Sequence, residues 1–103
     1  MNINQLMKQA REMQARMQEA QEKLASVTVE ASSGGGKVTA VATGKQEIAE
    51  IRIAPEVVDP EDVEMLQDLV TAAVNEALRR AAEVAREEIG KATGGLGALP
   101  GML

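Results

Sequence analysis

The sequence contains no phenylalanine, tyrosine or tryptophan, and it has neither cysteine nor histidine. Without aromatic rings, the core must come from Val, Ile, Leu, Met and Ala, and stacking of bases on aromatic side chains is excluded. Without Cys and His, disulfides, nucleophile–His pairs and His-containing zinc sites are excluded. We therefore expect a protein that is not an enzyme and has no cofactor, metal site or small-molecule substrate.

Long hydrophobic runs are also missing. No apolar run approaches the roughly 18 residues that span a bilayer, and the amino terminus becomes polar within five residues, unlike a signal peptide. We expect a cytoplasmic protein with no membrane partner. A chain of 103 residues makes one domain. Because so short a chain without aromatics buries little surface, we expect a second copy to complete the core.

The net charge of −5 is unevenly distributed along the chain. Residues 1–25 sum to +1, residues 26–55 balance, and residues 56–103 sum to −6. Six acids fall within thirteen residues that contain no base: Glu56, Asp59, Glu61, Asp62, Glu64 and Asp68. They lack the spacing of an EF-hand and suit the start of a helix. A polyanionic partner would have to avoid this segment.

The amino-terminal quarter carries a narrow apolar seam. Its residues follow each other at alternating intervals of three and four: Ile3, Leu6, Ala10, Met13, Met17, Ala20, Leu24 and Val27. This a/d pattern is typical of a helix that packs against another helix. The segment has no Gly or Pro, so we predict a helix of about 37 Å that projects toward a partner. Ile3, Leu6, Met13, Met17 and Leu24 are its expected packing residues.

The rest of the chain predicts three strands and a second helix. Alternating apolar residues indicate strands over residues 26–33, 37–43 and 46–54, and short connections make them an antiparallel meander. Asp59 as N-cap and Pro60 as first helical residue predict a helix that ends near Ile89, with Gly90 at C′. Its wider apolar stripe predicts that it covers the sheet. The expected fold is α+β, in the order α-β-β-β-α, with one domain over 1–93 and a flexible Gly-rich tail over 94–103.

Residues 34–37, Gly-Gly-Gly-Lys, superficially resemble a phosphate-binding loop. A P-loop needs Gly five positions before its Gly-Lys pair and Ser or Thr after it, where this chain has Ala31 and Val38. A flexible hairpin loop is the better interpretation.

Basic residues on the two predicted helices are candidate phosphate contacts. They are Lys8, Arg11, Arg16 and Lys23 on the first helix and Arg79, Arg80 and Arg86 on the second, with Lys91 just beyond its predicted end. An alternative is that they form intrahelical ion pairs, because acids precede some of them by four residues. Those pairs are Glu12–Arg16, Glu19–Lys23 and Glu76–Arg80.

The stretch Glu-Met-Leu-Gln-Asp-Leu-Val-Thr-Ala-Ala-Val-Asn-Glu-Ala at residues 64–77 resembles the signature of the YbaB/EbfC family of bacterial nucleoid-associated proteins. The Met- and Gln-rich opening at residues 6–14, the hairpin at 36–44 and the strand end Ile-Arg-Ile-Ala-Pro at 51–55 agree with the family in order and spacing. The likeness covers nearly the whole chain.

This resemblance implies a small homodimer with protruding helices that binds double-stranded DNA in the nucleoid with little base specificity. The seven basic residues of the two helices then become candidate DNA contacts. The alternative is a protein-interaction module that uses the amino-terminal helix, with weak or incidental DNA binding.

The seam generates a direct test. Replacing Met17 by Asp would bury an unpaired charge against another helix or subunit, so the free energy of unfolding should fall by several kcal/mol. Thermal melting followed by circular dichroism measures the effect. A melting temperature that hardly moves would show that the seam faces solvent.

Overall fold

The computed structural model describes residues 2–94, which form two long helices and one three-stranded sheet. The elements are α1 (Ile3–Ser26), β1 (Thr28–Ser33), β2 (Val38–Thr43), β3 (Ile48–Ile53) and α2 (Val63–Ala92). Short 3-10 turns, Gly34–Gly36 and Pro55–Val57, follow β1 and β3. The predicted α-β-β-β-α order is confirmed. Apart from Gly94, the predicted flexible tail lies outside the described residues.

The sheet is an antiparallel meander with β2 in the centre, as the short connections predict. Ala40 of β2 pairs with Ala31 of β1 on one side and with Ile51 of β3 on the other. The β2–β3 register shifts by a bulge between Val41 and Ala42.

Helix α2 lies across β1 and β2 and forms the core with them. Alanines repeat every fourth residue on the helix face that meets the sheet, and Ala73, Ala77 and Ala81 have no accessible surface. The side chains on the opposing sheet face are also small: Ala31, Val38, Ala40 and Ala42. These side chains let the helix and sheet backbones approach closely. The second helix thus covers β1 and β2 as predicted, but it does not cover β3.

Strand β3 lies outside this cover. All six of its residues are exposed. Pairing places Ile51 opposite Ala40 and Ile53 opposite Val38, so both lie on the α2 side of the sheet. The bulge returns the next apolar residue, Ile48, to that same side opposite Ala42. Ile48, Ile51 and Ile53 therefore form an uncovered row, here named the isoleucine strip.

The predicted start of the second helix is wrong by three residues. Helix α2 begins at Val63, and its N-cap is Asp62, whose side chain accepts a hydrogen bond from the Met65 amide at 3.2 Å. Asp59 instead accepts the Glu61 amide at 2.9 Å and so organises the turn that precedes the helix. An Asp two residues before an amide stabilises such a turn as readily as it caps a helix, which explains the error.

The predicted end of that helix is also wrong. Helix α2 continues through Gly90 and ends at Ala92. Gly94 then adopts a left-handed φ of 63°, the conformation expected where a chain leaves a helix. Gly90 costs some helix propensity, but a single glycine inside a long helix is tolerated.

Helix α1 docks only by its carboxyl-terminal half. Ala20 and Leu24 are buried, whereas Met13 and Met17 are half-buried. Its contacts are mainly with the last turns of α2, and the two helices run antiparallel. The amino-terminal half of α1 therefore extends past the end of α2, and the molecule is 70 Å long but only 16 Å across its shortest dimension.

Candidate nucleic-acid interface

Three basic residues of α1 form no ion pair within residues 2–94. Lys8, Arg11 and Arg16 are exposed, and none lies within ion-pair distance of a carboxylate among residues 2–94. The expected Glu12–Arg16 pair does not form. Lys8 and Arg11 are three residues apart and share one face of the helix. These side chains are available to contact phosphates.

Lys23 is engaged in holding the two helices together. Its ammonium group lies 3.2 Å from Glu88 of α2, not beside the expected Glu19. Lys91 approaches the same Glu88 oxygen at 3.4 Å. The hydrogen bond from Lys23 lowers the pKa of the Glu88 carboxyl, whose side chain is only 15% exposed. Sequence reasoning missed Glu88, since an interhelical pair depends on how the helices dock.

Arg79 is held on the outer face of α2 by two acids of its own helix. Its Nε donates to Glu76 at 2.9 Å, and a terminal nitrogen donates to Glu83. The hydrogen bond from Arg79 lowers the pKa of the Glu76 carboxyl to about 2, and the same contact raises the pKa of Arg79. The guanidinium charge is largely offset before any ligand arrives.

Arg80 links α2 to the sheet. Its Nη1 donates to the backbone oxygen of Glu30 at 2.6 Å, and its Nε lies 3.3 Å from Glu76, the predicted i,i+4 partner. Glu30 lies on β1, an edge strand, so Arg80 satisfies a carbonyl that no neighbouring strand can reach. Arg86, by contrast, is exposed and has no ion pair within residues 2–94.

The acidic cluster of residues 56–68 and the free basic residues of α1 lie at opposite ends of the molecule. The six acids of residues 56–68 surround the amino-terminal end of α2, while α1 docks on its carboxyl-terminal end and continues beyond it. Helix α2 has 30 residues and is therefore about 45 Å long. The Debye length at physiological ionic strength is only about 8 Å. The acids therefore exert little force on a polyanion held near α1.

The glycine loop does not have the form of a phosphate site. Lys37 forms an ion pair with Glu56, and Gly34 has a left-handed φ of 61°. A Cβ at Gly34 would lie 2.9 Å from a methyl group of Leu69, so this glycine serves packing against α2.

Residues 2–94 also lack two other features. No cluster of three potential metal ligands occurs there. No helix of that segment has the length and hydropathy needed to cross a membrane.

Comparison with known proteins identifies a matching family and several similar relatives. A model of the YbaB/EbfC DNA-binding family matches residues 1–96. A protein from Acetivibrio thermocellus named nucleoid-associated protein is 64% identical over 98% of this chain and 89% of its own length. A relative of the same name from Ruminiclostridium cellulolyticum is 63% identical over 98% of this chain and 88% of its own.

A solved structure shares the fold. The crystal structure of the uncharacterized protein HP0035 from Helicobacter pylori superposes with a TM-score of 0.79. It covers 92% of this chain and 99% of its own, at 24% sequence identity. At that identity the likeness concerns the fold alone, and it supports the helix–meander–helix arrangement.

The contacts of Arg80 with Glu76 and with the Glu30 carbonyl lead to a prediction about stability. Arg80→Ala removes the bond to the β1 edge, so the free energy of unfolding should fall by about 1 kcal/mol, a value typical of one partly exposed hydrogen bond. Arg86→Ala is the matched control, because Arg86 has no ion pair to lose, and it should change stability by less than about 0.5 kcal/mol. Urea denaturation measures both. Equal effects would show that the Arg80–Glu30 contact contributes nothing.

Proposed function

The chain belongs to the YbaB/EbfC DNA-binding family, and from this we propose that it binds double-stranded DNA in the nucleoid as a cytoplasmic homodimer. The family match over residues 1–96 is the observation that carries the proposal. Close relatives are nucleoid-associated proteins, and the family is not one of enzymes, so we assign no reaction to this chain. Contacts to phosphates and groove shape account for binding with little base specificity.

The DNA-contacting surface in this proposal is the exposed face of α1, extended by Arg86 of α2. Lys8, Arg11 and Arg16 support the assignment because their charges have no partner within residues 2–94. The remaining candidates already have partners: Lys23 contacts Glu88, Arg79 contacts Glu76 and Glu83, and Arg80 contacts Glu76 and the Glu30 carbonyl. We assign these three to structural contacts first.

The distance between the acidic and basic ends supports binding despite the net charge. A dimer carries twice the chain's −5, which opposes long-range attraction of DNA. Once α1 touches the duplex, screening leaves only nearby charges effective, and residues 1–25 sum to +1. Binding of this kind is weak at long range and strongly dependent on salt.

The isoleucine strip is the proposed dimer interface. Ile48, Ile51 and Ile53 are 36%, 42% and 40% exposed although they lie on the helix side of the sheet. They belong to an edge strand whose outer backbone groups lack a strand partner within residues 2–94. Pairing with a second copy would bury the isoleucines and satisfy that edge.

The dimer is tested by sedimentation. At low micromolar concentration the wild type should have about twice the chain mass of 10.9 kDa. Ile51→Glu would place a charge in the proposed interface and should yield monomer or unfolded chain. Ile3→Glu, at a more exposed apolar residue, is the control and should remain dimeric. A stable wild-type monomer would contradict the proposal, and dissociation by Ile3→Glu alone would move the interface to α1.

Duplex binding is tested with two double variants that remove the same net charge. Lys8→Gln with Arg11→Gln removes free cations and should weaken binding to all duplex sequences by about tenfold at low salt. Arg79→Gln with Arg80→Gln removes partnered cations and should weaken binding much less. For the wild type, the slope of log affinity against log salt should be about −2 to −5, following roughly 0.9 per neutralised phosphate.

Two outcomes would contradict the assignment of the surface or the function. If the Arg79 and Arg80 variant loses as much affinity as the α1 variant while folded and dimeric, the contact surface includes the outer face of α2. If the wild type binds no duplex at low salt, the rival function gains support, in which the exposed apolar residues of α1 bind another protein.

A further inference from the structure

The apolar seam of α1 is covered over only part of its length. Leu24 and Ala20 are buried under α2, and Met17 and Met13 are half-buried. Toward the amino terminus the seam continues without cover: Leu6 is 51% exposed and Ile3 is 72% exposed. The neighbouring Met7 is 52% exposed. Exposing the apolar side chains of such a seam to water is unfavourable, so a contact that buries them would lower the free energy.

The cover ends where α2 ends. Glu88 of α2 lies beside Lys23, and a Cβ built on Gly94 would lie 3.9 Å from the Arg16 guanidinium. The chain thus leaves α2 at the level of Arg16. The bare part of the seam begins at Ala10, six residues or nearly two turns farther along, in the direction in which α2 was already travelling.

The chain beyond Gly94 has the length and composition to continue that cover. Nine residues remain, and fully extended they span up to about 30 Å, whereas the ten steps from Met13 to Ile3 rise about 15 Å along the helix. The segment has no charged side chain. Its apolar side chains are Leu96, Ala98, Leu99, Met102 and Leu103.

We propose that residues 95–103 pack on the amino-terminal half of the α1 seam of the same chain, over Ile3, Leu6 and Ala10. Attachment at Gly94 gives the segment an effective concentration in the millimolar range next to the seam, so modest burial suffices to hold it. An unrelated protein must instead pay the full entropy of association. The contact leaves Lys8 and Arg11 free, since they lie on other faces of the helix.

The contact is independent of the proposed function, and its test contains no DNA. Two variants are compared with the full chain: one that ends after Gly94, and one of full length with Leu96, Leu99, Met102 and Leu103 all replaced by Ser. Amide hydrogen exchange should become at least about fivefold faster over residues 3–13 in both variants. Exchange over residues 70–85, in the α2 core, serves as the internal control and should be unchanged.

Methyl NMR identifies which segment packs on the α1 seam. Nuclear Overhauser contacts from Met102 or Leu103 to Leu6 or Ile3 should appear in uniformly labelled protein. They should be absent when contacts are filtered to those between labelled and unlabelled chains. Unchanged exchange over residues 3–13 in both variants would overturn the proposal. So would contacts found only between chains, or only between two α1 helices.

Discussion

The close approach of α2 to β1 and β2 through alanine is the constraint on which the rest of this structure depends. Ala73, Ala77 and Ala81 are fully buried against a sheet face that is itself mostly alanine. Small side chains on both surfaces give a thin core without the aromatic rings that a larger separation would need. Every substitution that adds volume there must separate the helix from the sheet. The short distance between α2 and the sheet therefore suits a core that has no aromatic residues.

A thin and narrow core leaves apolar surface that it cannot cover. One helix spans two strands, so β3 keeps its isoleucines exposed, and α1 docks through little more than Ala20 and Leu24. Both features have the same origin, because a single alanine face provides too little width for three strands and a second helix. Exposed apolar side chains in a chain this short indicate that further contacts complete the fold. Within the described residues, the isoleucine strip and the α1 seam are two surfaces where such contacts would bury exposed apolar side chains.

Much of the fold could be predicted because it depends on local periodicity. The intervals of three and four from Ile3 to Leu24 identify α1, and alternation with short connections identifies the meander. The ends of α2 could not be predicted, since Asp59 and Asp62 are equally good caps by composition and only the turn geometry selects Asp62. The bulge at Val41 and Ala42, which brings Ile48 to the α2 side of the sheet, has no clear sequence signal.

The candidate site was predictable as a set of residues but not in its division of roles. Sequence identifies seven bases on two helices, and i,i+4 spacing correctly pairs Glu76 with Arg80. The same i,i+4 spacing gives the wrong partner for Lys23, because helix docking brings Glu88 beside it. It also predicts a Glu12–Arg16 pair that does not form. Rotation and docking of helices decide which charges are free, and both are tertiary properties.

That division explains how an acidic protein can present a basic surface. Arg79, Arg80 and Lys23 contact nearby acids or a carbonyl, so they stabilise the fold and add little positive electrostatic potential around the protein. The acids of residues 56–68, among which Glu56 pairs with Lys37, lie at the far end of α2, beyond several screening lengths. A duplex near α1 therefore meets Lys8, Arg11 and Arg16, with the acids of α1 itself, at a distance from the acidic cluster of residues 56–68. The elongated shape, itself a result of the thin core, keeps these two ends apart.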